Sequence, residues 1–133
     1  MNKSGISSVG QGTGRRKSSV ARVWLKPGTG KVEVNGINYK DYFGTEAART
    51  AVTLPFKICG SKSFDAKVSV TGGGFVGQSD AIKLGIARAL LDTNESLKAV
   101  LRENDLLTVD SRIKERKKYG QKGARRRFQF VKR

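Results

Sequence analysis

The sequence predicts an α+β domain of two layers with a long basic tail at its C-terminus, and three observations lead there. Strand-like alternation fills much of the first 70 residues, one long apolar helical face follows, and the residues from Asp110 onward carry more than half of the net charge. Strands gathered with helices on one side bury their apolar faces against each other as two layers. A length of 133 residues allows one modest domain with tails. An apolar content of 37% is low for a chain packed along its whole length. The expected division is a flexible segment over 1–14, a globular domain over 15–109 and an extended basic tail over 110–133.

Residues 1–14 are rich in Gly and Ser and are expected to be disordered in isolation. From Ser18 the chain alternates, with Val20, Arg22 and Trp24 on one face and Ala21, Val23 and Leu25 on the other, as a strand does. Pro27-Gly28 turns the chain, because Pro presets a negative φ and Gly tolerates a positive one. Lys31 to Val34 reads as the returning strand of a hairpin with a long loop, and Asn35-Gly36 as a second turn. Tyr39, Tyr42 and Phe43 are expected to cap the core, with a short helix over Thr45 to Ala51. Phe56 to Val70 reads as strand-like, most clearly where Phe64, Ala66, Val68 and Val70 alternate with Asp65, Lys67 and Ser69.

The clearest helix follows. Ser79 is its expected N-cap, with Asp80 complementing the dipole. Ile82, Gly85, Ile86, Ala89 and Leu90 make one continuous helical face. Residues 95–103 read as a second short helix with Leu97, Val100 and Leu101 inward, and Leu106, Leu107 and Val109 as a last short strand. Beyond Asp110 no apolar period is sustained. Gly120 and Gly123 interrupt any long helix, although Ser111 to Tyr119 is compatible with a helix when bound. Such a segment buries too little to fold alone and orders on a partner.

Charge narrows the partner. The chain carries 27 Lys and Arg against 11 Asp and Glu, a net +16. Residues 1–109 hold +7 of this and residues 110–133 hold +9. A field of this sign calls for a polyanion. A membrane fits poorly: no apolar run approaches the ~20 residues of a spanning helix. The basic tail lacks the apolar face of an interfacial helix, and the first 14 residues hold no secretion signal. Arg125-Arg126-Arg127 with Phe128 and Phe130 offers guanidinium forks for phosphates and flat groups for bases, a combination suited to folded RNA.

Catalysis finds little support. There is no His, which removes the commonest general base and most zinc sites. The single Cys59 permits no internal disulfide, fits a reducing compartment and reads as a small apolar residue. Gly72, Gly74 and Gly77 satisfy a dinucleotide-type glycine pattern. The helix after them, however, leads to Asp92-Thr93-Asn94 and another helix instead of the second parallel strand a Rossmann unit requires. The bland alternative is a Gly-rich turn that lets backbone come close to something, for instance an RNA phosphate. Gly12 to Ser18 is no phosphate loop, since Arg16 stands where the Walker pattern needs Gly. Asp105 and Asp110 are not placed in any pocket. No cofactor and no metal are expected.

Three segments carry a resemblance. GTGRRKSSVARVWLKPGTGKVEVNG (12–36), VTGGGFVGQSDAIKLGIARALL (70–91) and DSRIKERKKYGQKGARRRFQFVKR (110–133) closely resemble the S-nine family of small-ribosomal-subunit proteins, bacterial or organellar in type. The resemblance spans nearly the whole chain from Gly12. It implies a sandwich like the second domain of small-subunit ribosomal protein five, with a left-handed βαβ crossover that departs from the usual right-handed rule. It implies a structural, non-enzymatic place in the head of the small subunit, in contact with ribosomal RNA and neighbouring head proteins. A bacterial cytoplasmic ribosome is expected, with an organellar one as the alternative. The tail would thread the RNA, and Lys132 and Arg133 would approach the anticodon stem-loop of the peptidyl-site tRNA. Two positions depart from the family pattern: Val131 replaces a usual Ser, and Asp80 replaces a common Gly.

The candidate ribosomal-RNA contacts are Arg15, Arg16, Lys17 and Arg22 on the first strand and its approach. In the tail they are Arg112, Lys114, Arg116, Lys117, Lys118, Lys122, Arg125, Arg126 and Arg127. The competing readings are a free-standing nucleic-acid chaperone or DNA-binding module, separated by co-purification with small subunits, and a small nucleotide-using enzyme, separated by nucleotide binding in the absence of RNA.

Overall fold

The computed structural model describes residues 10–60 and 64–108, and in it one mixed five-stranded sheet is covered on a single face by helices. The strands are β1 (Gly10–Arg16), β2 (Ser19–Pro27), β3 (Val32–Val34), β4 (Ile37–Asn38) and β5 (Phe64–Thr71). The helices are α1 (Tyr39–Tyr42), α2 (Glu46–Cys59), α3 (Phe75–Thr93) and α4 (Lys98–Glu103), with a 3-10 turn over Glu95–Leu97. The sheet order is β1-β2-β5-β3-β4. All neighbours are antiparallel except β3 and β5, which run parallel. The expected α+β layering is therefore present.

Two strand expectations change. Residues 10–14, read as part of a flexible segment, form most of the edge strand β1, which pairs in register from Gly10↔Leu25 to Arg16↔Ser19. The signal was hidden because β1 turns glycine, not large apolar groups, toward the helices. Gly10, Gly12 and Gly14 lie on α3 so closely that a Cβ at each would strike the backbone of Ala89, Gly85 and Ala81 respectively. Those three positions recur every four residues along one stripe of α3. Thr13 accepts a hydrogen bond through its carbonyl from Arg88 Nη1 at 2.8 Å, tying the strand to the same helix.

The second change concerns β2 and β3, which are not hairpin partners. β5 lies between them, antiparallel to β2 from Val20↔Thr71 to Pro27↔Phe64 and parallel to β3 from Val32↔Ala66 to Val34↔Val68. The long loop after Pro27 is held from below by Asp65 of β5. Its Oδ1 accepts from the backbone N–H groups of Thr29 (3.0 Å), Gly30 (3.0 Å) and Lys31 (2.9 Å). The Asn35-Gly36 turn is as expected. Both residues have positive φ, 52° and 83°, as a two-residue hairpin turn between Val34 and Ile37 requires. The Asn35 side chain also continues the pairing beyond β3, accepting from Val70 N (3.0 Å) and donating to Val70 O (3.1 Å).

The helices differ at their ends. α2 runs to Cys59, through the Phe56–Cys59 stretch read as strand-like, with Pro55 buried inside it. Thr45 caps its start by accepting from Ala48 N, and Gly60 closes it in the left-handed conformation. α3 begins at Phe75, four residues before the expected cap. Ser79 is instead an interior residue, 3% exposed, donating its hydroxyl to Val76 O at 2.8 Å. Leu101 of α4 is buried and Leu97 half-buried as expected, but Val100 faces outward. Leu106 is buried without forming a strand, and Val109 lies outside the described residues.

Alternation on β2 sends Ala21, Val23 and Leu25 inward, where they meet Val32, Val34, Ala66, Val68 and Val70 and the Ile82, Ile86, Ala89 and Leu90 side of α3. Phe43 is buried in the same core, flanked by half-buried Tyr39 and Tyr42. A smaller cluster of Ala87, Leu101 and Leu106 seats α4, with Leu54 and Ile58 of α2 against it. Each fully buried side chain of this size contributes roughly 1.5–3 kcal/mol of transfer free energy.

Candidate nucleic-acid interface

The face of the sheet opposite the helices is where the basic residues of the globular part collect. On β2, Val20, Arg22, Trp24 and Lys26 alternate outward. In register beside them stand Arg15, Thr13 and Gln11 of β1 on one side and Thr71, Ser69, Lys67 and Asp65 of β5 on the other. No element of the described residues packs on this face. Arg15 and Arg22 are both exposed and occupy diagonal positions on adjacent strands, Arg22 opposite Thr13 and Arg15 opposite Val20. Two cations on neighbouring strands of an open sheet can contact one polyanion backbone together.

The other two globular candidates separate from this pair. Arg16 follows the alternation to the helix side and forms an ion pair with Asp80 of α3 at 3.5 Å, with only 14% of its side chain exposed. Asp80 also lies 4.0 Å from Lys83. Asp80 is thus engaged with two cations at the sheet–helix junction. Lys17 is exposed in the two-residue turn that joins β1 to β2, with a φ of 56°. The basic candidates of the tail, from Arg112 to Arg127 with Lys132 and Arg133, lie outside the described residues. Sequence reading missed Lys26 and Lys67 as members of the open face. The alternation of β5, with Lys67 and Ser69 opposed to Ala66 and Val68, contained the signal once its pairing with β2 was known.

The glycine pattern has a structural use. Gly72 and Gly73 adopt φ of 79° and 65°, where a side chain is strained, and a Cβ on either would strike Ser18 or Ser19. What the backbone approaches so closely is therefore the β1–β2 turn of the chain itself. The Gly72 carbonyl accepts from Ser19 Oγ at 2.9 Å and from Gln78 Nε2 at 3.0 Å. Gln78 Oε1 in turn accepts from Tyr42 O–H at 2.7 Å. This network joins β2, the glycine loop, α3 and α1, and its buried polar atoms satisfy one another.

Cys59 sits half-buried between the two apolar clusters. Burial pushes its thiol up from the ordinary range, the opposite of what an activated nucleophile needs. Among the described residues there is no group of three or more Cys, Asp or Glu side chains placed to hold a metal ion. No described helix is long and apolar enough to cross a membrane.

Residues 14–133 match the family model described as Ribosomal protein S9/S16. Three curated relatives, each called small ribosomal subunit protein uS9, are similar along almost their whole length. The protein of Chlorobium chlorochromatii is 52% identical over 121 residues, covering 90% of this chain and 94% of its own. That of Cytophaga hutchinsonii is 51% identical with the same coverage. That of Rhodopirellula baltica is 48% identical over 132 residues, covering 98% of this chain and 96% of its own.

Proposed function

This chain belongs to the Ribosomal protein S9/S16 family, and from that premise we propose that it is a structural, non-catalytic constituent of the small ribosomal subunit that binds ribosomal RNA in the subunit head. The observation that carries the reading is the match along 14–133, which includes the basic tail as well as the globular part. The open sheet face, with Arg15 and Arg22 at diagonal positions on adjacent strands, supports it from the structural side. The work is electrostatic and architectural. The folded part positions itself on phosphates through Arg15, Arg22 and Lys17, while Arg16 divides its charge between RNA and Asp80. The 110–133 tail orders on binding and neutralises phosphates within the RNA fold through Arg112 to Arg127. Lys132 and Arg133 present two cations to the anticodon stem-loop of the peptidyl-site tRNA. We further infer, from the family resemblance, a left-handed βαβ crossover, which β3, α2 and the parallel β5 would form, and neighbouring head proteins as partners in a bacterial cytoplasmic ribosome.

The test is sedimentation of the tagged full-length chain from cell extract at high salt, with the subunits separated. Stoichiometric recovery with the small subunit alone is the expected result. Recovery at the top of the gradient would replace this reading with a soluble nucleic-acid chaperone.

A further inference from the structure

Trp24 is the only tryptophan of the chain, and it stands on the open sheet face instead of in the core. It is half-buried. Its register neighbours are Gln11 on β1 and Lys67 on β5, and Arg22 and Lys26 flank it on its own strand. The remaining residues around it, Thr13 and Ser69, are small and polar. Among the described residues, the indole's neighbours on this face are thus cations and polar side chains, with no aromatic or branched apolar residue in register beside it. Of the two carboxylates on this face, Asp65 is turned to the amides of residues 29–31, and Glu33 lies beyond Lys67, on the far side from Trp24.

A core-forming role does not account for this placement, because the apolar core is on the other side of the sheet. A flat aromatic surface bordered by cations matches the face of a nucleobase with phosphates on either side. A paired helix hides its base faces in the stack, so the complementary ligand is an unpaired nucleotide. We propose that Trp24 is a stacking platform for one unpaired base of the small-subunit RNA, with Arg22, Lys26 and Arg15 holding the adjoining phosphates. This rests on the RNA-binding function proposed above and adds the base-contacting residue to it.

The single Trp makes the test direct. The full-length chain is prepared with 5-hydroxytryptophan at position 24, which can be excited apart from ordinary tryptophan, and is assembled into small subunits from total RNA and proteins. Strong quenching of its emission relative to the free chain, and an ultraviolet cross-link from Trp24 to a nucleotide, are expected. In competitive assembly against the unaltered chain, Trp24→Ala should lose about five- to 150-fold in affinity, the range of a lost base stack. Trp24→Phe should stay close to the unaltered chain, since it keeps a ring to stack on. Unquenched emission with no nucleotide cross-link, while the chain still enters the particle stoichiometrically, overturns the platform and leaves the RNA-binding function standing. A cross-link from Trp24 to another protein overturns it in favour of a protein contact. Failure of the unaltered chain to enter small subunits at all overturns both. If Trp24→Ala does not fold, the emission and cross-link of the unaltered chain decide alone.

Discussion

Gly14 of β1 touches the backbone of α3, and its missing side chain is what permits the contact. A methyl group there would fall on the Ala81 carbonyl, which cannot give way without moving the helix. Gly14→Ala is therefore expected to cost at least the upper part of the ~1–3 kcal/mol typical of overpacking. Gly44 is the contrast: a Cβ there meets nothing within 4 Å, and its φ is not positive. Gly44→Ala should be neutral or stabilise by up to about 1 kcal/mol through a less flexible unfolded chain. Urea melts of the two variants check this, and equal midpoints would refute the packing account. Cys59 behaves as its chemistry in the sequence suggested. It fills space between two clusters, and burial pushes its thiol up, away from the thiolate.

Elements were legible where side chains announced their environment and obscure where backbone did. β2 and β5 stood out because Ala21, Val23 and Leu25, like Ala66, Val68 and Val70, alternate with polar residues. β1 did not, because glycine carries no hydropathy signal, and the α3 backbone that it meets is distant in sequence. The sequence suggests only a short helix over Thr45 to Ala51, while α2 runs on to Cys59 although Pro55 removes a hydrogen bond and ordinarily ends a helix. Burial of Pro55 with Ala48 and Val52, and the caps at Thr45 and Gly60, override that preference. Ser79 has a capping side chain and so marks a helix start in the sequence, but it spends its hydroxyl on Val76 within α3, which begins at Phe75. The charge of the open face was half legible: Arg15 and Arg22 were named from sequence, while Lys67 needed the pairing of β5. Asp65 gives this scale its prediction. The three amides it holds, that of Lys31 foremost, keep its carboxyl below the usual carboxylate range. The unfolded chain therefore binds this proton more readily, so the stabilisation is present above about pH 4 and is lost as pH falls through the lowered value. Asp65→Asn should flatten that acid limb of stability and loosen the 28–31 loop, read by melts between neutral and acid pH. An unchanged pH profile would mean that the loop does not depend on the carboxylate.

At the scale of the whole molecule the charge is divided between a folded platform and a terminal segment holding +9 of the net +16. If the tail neutralises ~6–8 phosphates, log affinity for small-subunit RNA should fall with log salt at a slope of about −4 to −6. Replacing Arg125, Arg126 and Arg127 by Ala should make that slope shallower by about 2, each lost phosphate contact removing roughly 0.7. Filter binding of the full-length chain across a salt series measures it, and an unaltered slope would place the charge neutralisation elsewhere. The sheet order has its own consequence. β5 sits centrally yet is translated some 30 residues after β3. While the chain emerges from its own ribosome, β1 and β2 can close as a local hairpin, but β3 has only the two-residue β4 beside it until β5 arrives to bridge the halves. Folding is thereby gated by a late, non-local insertion, which lengthens the interval in which a strongly basic nascent chain exposes unpaired strand edges to surrounding nucleic acid and other chains.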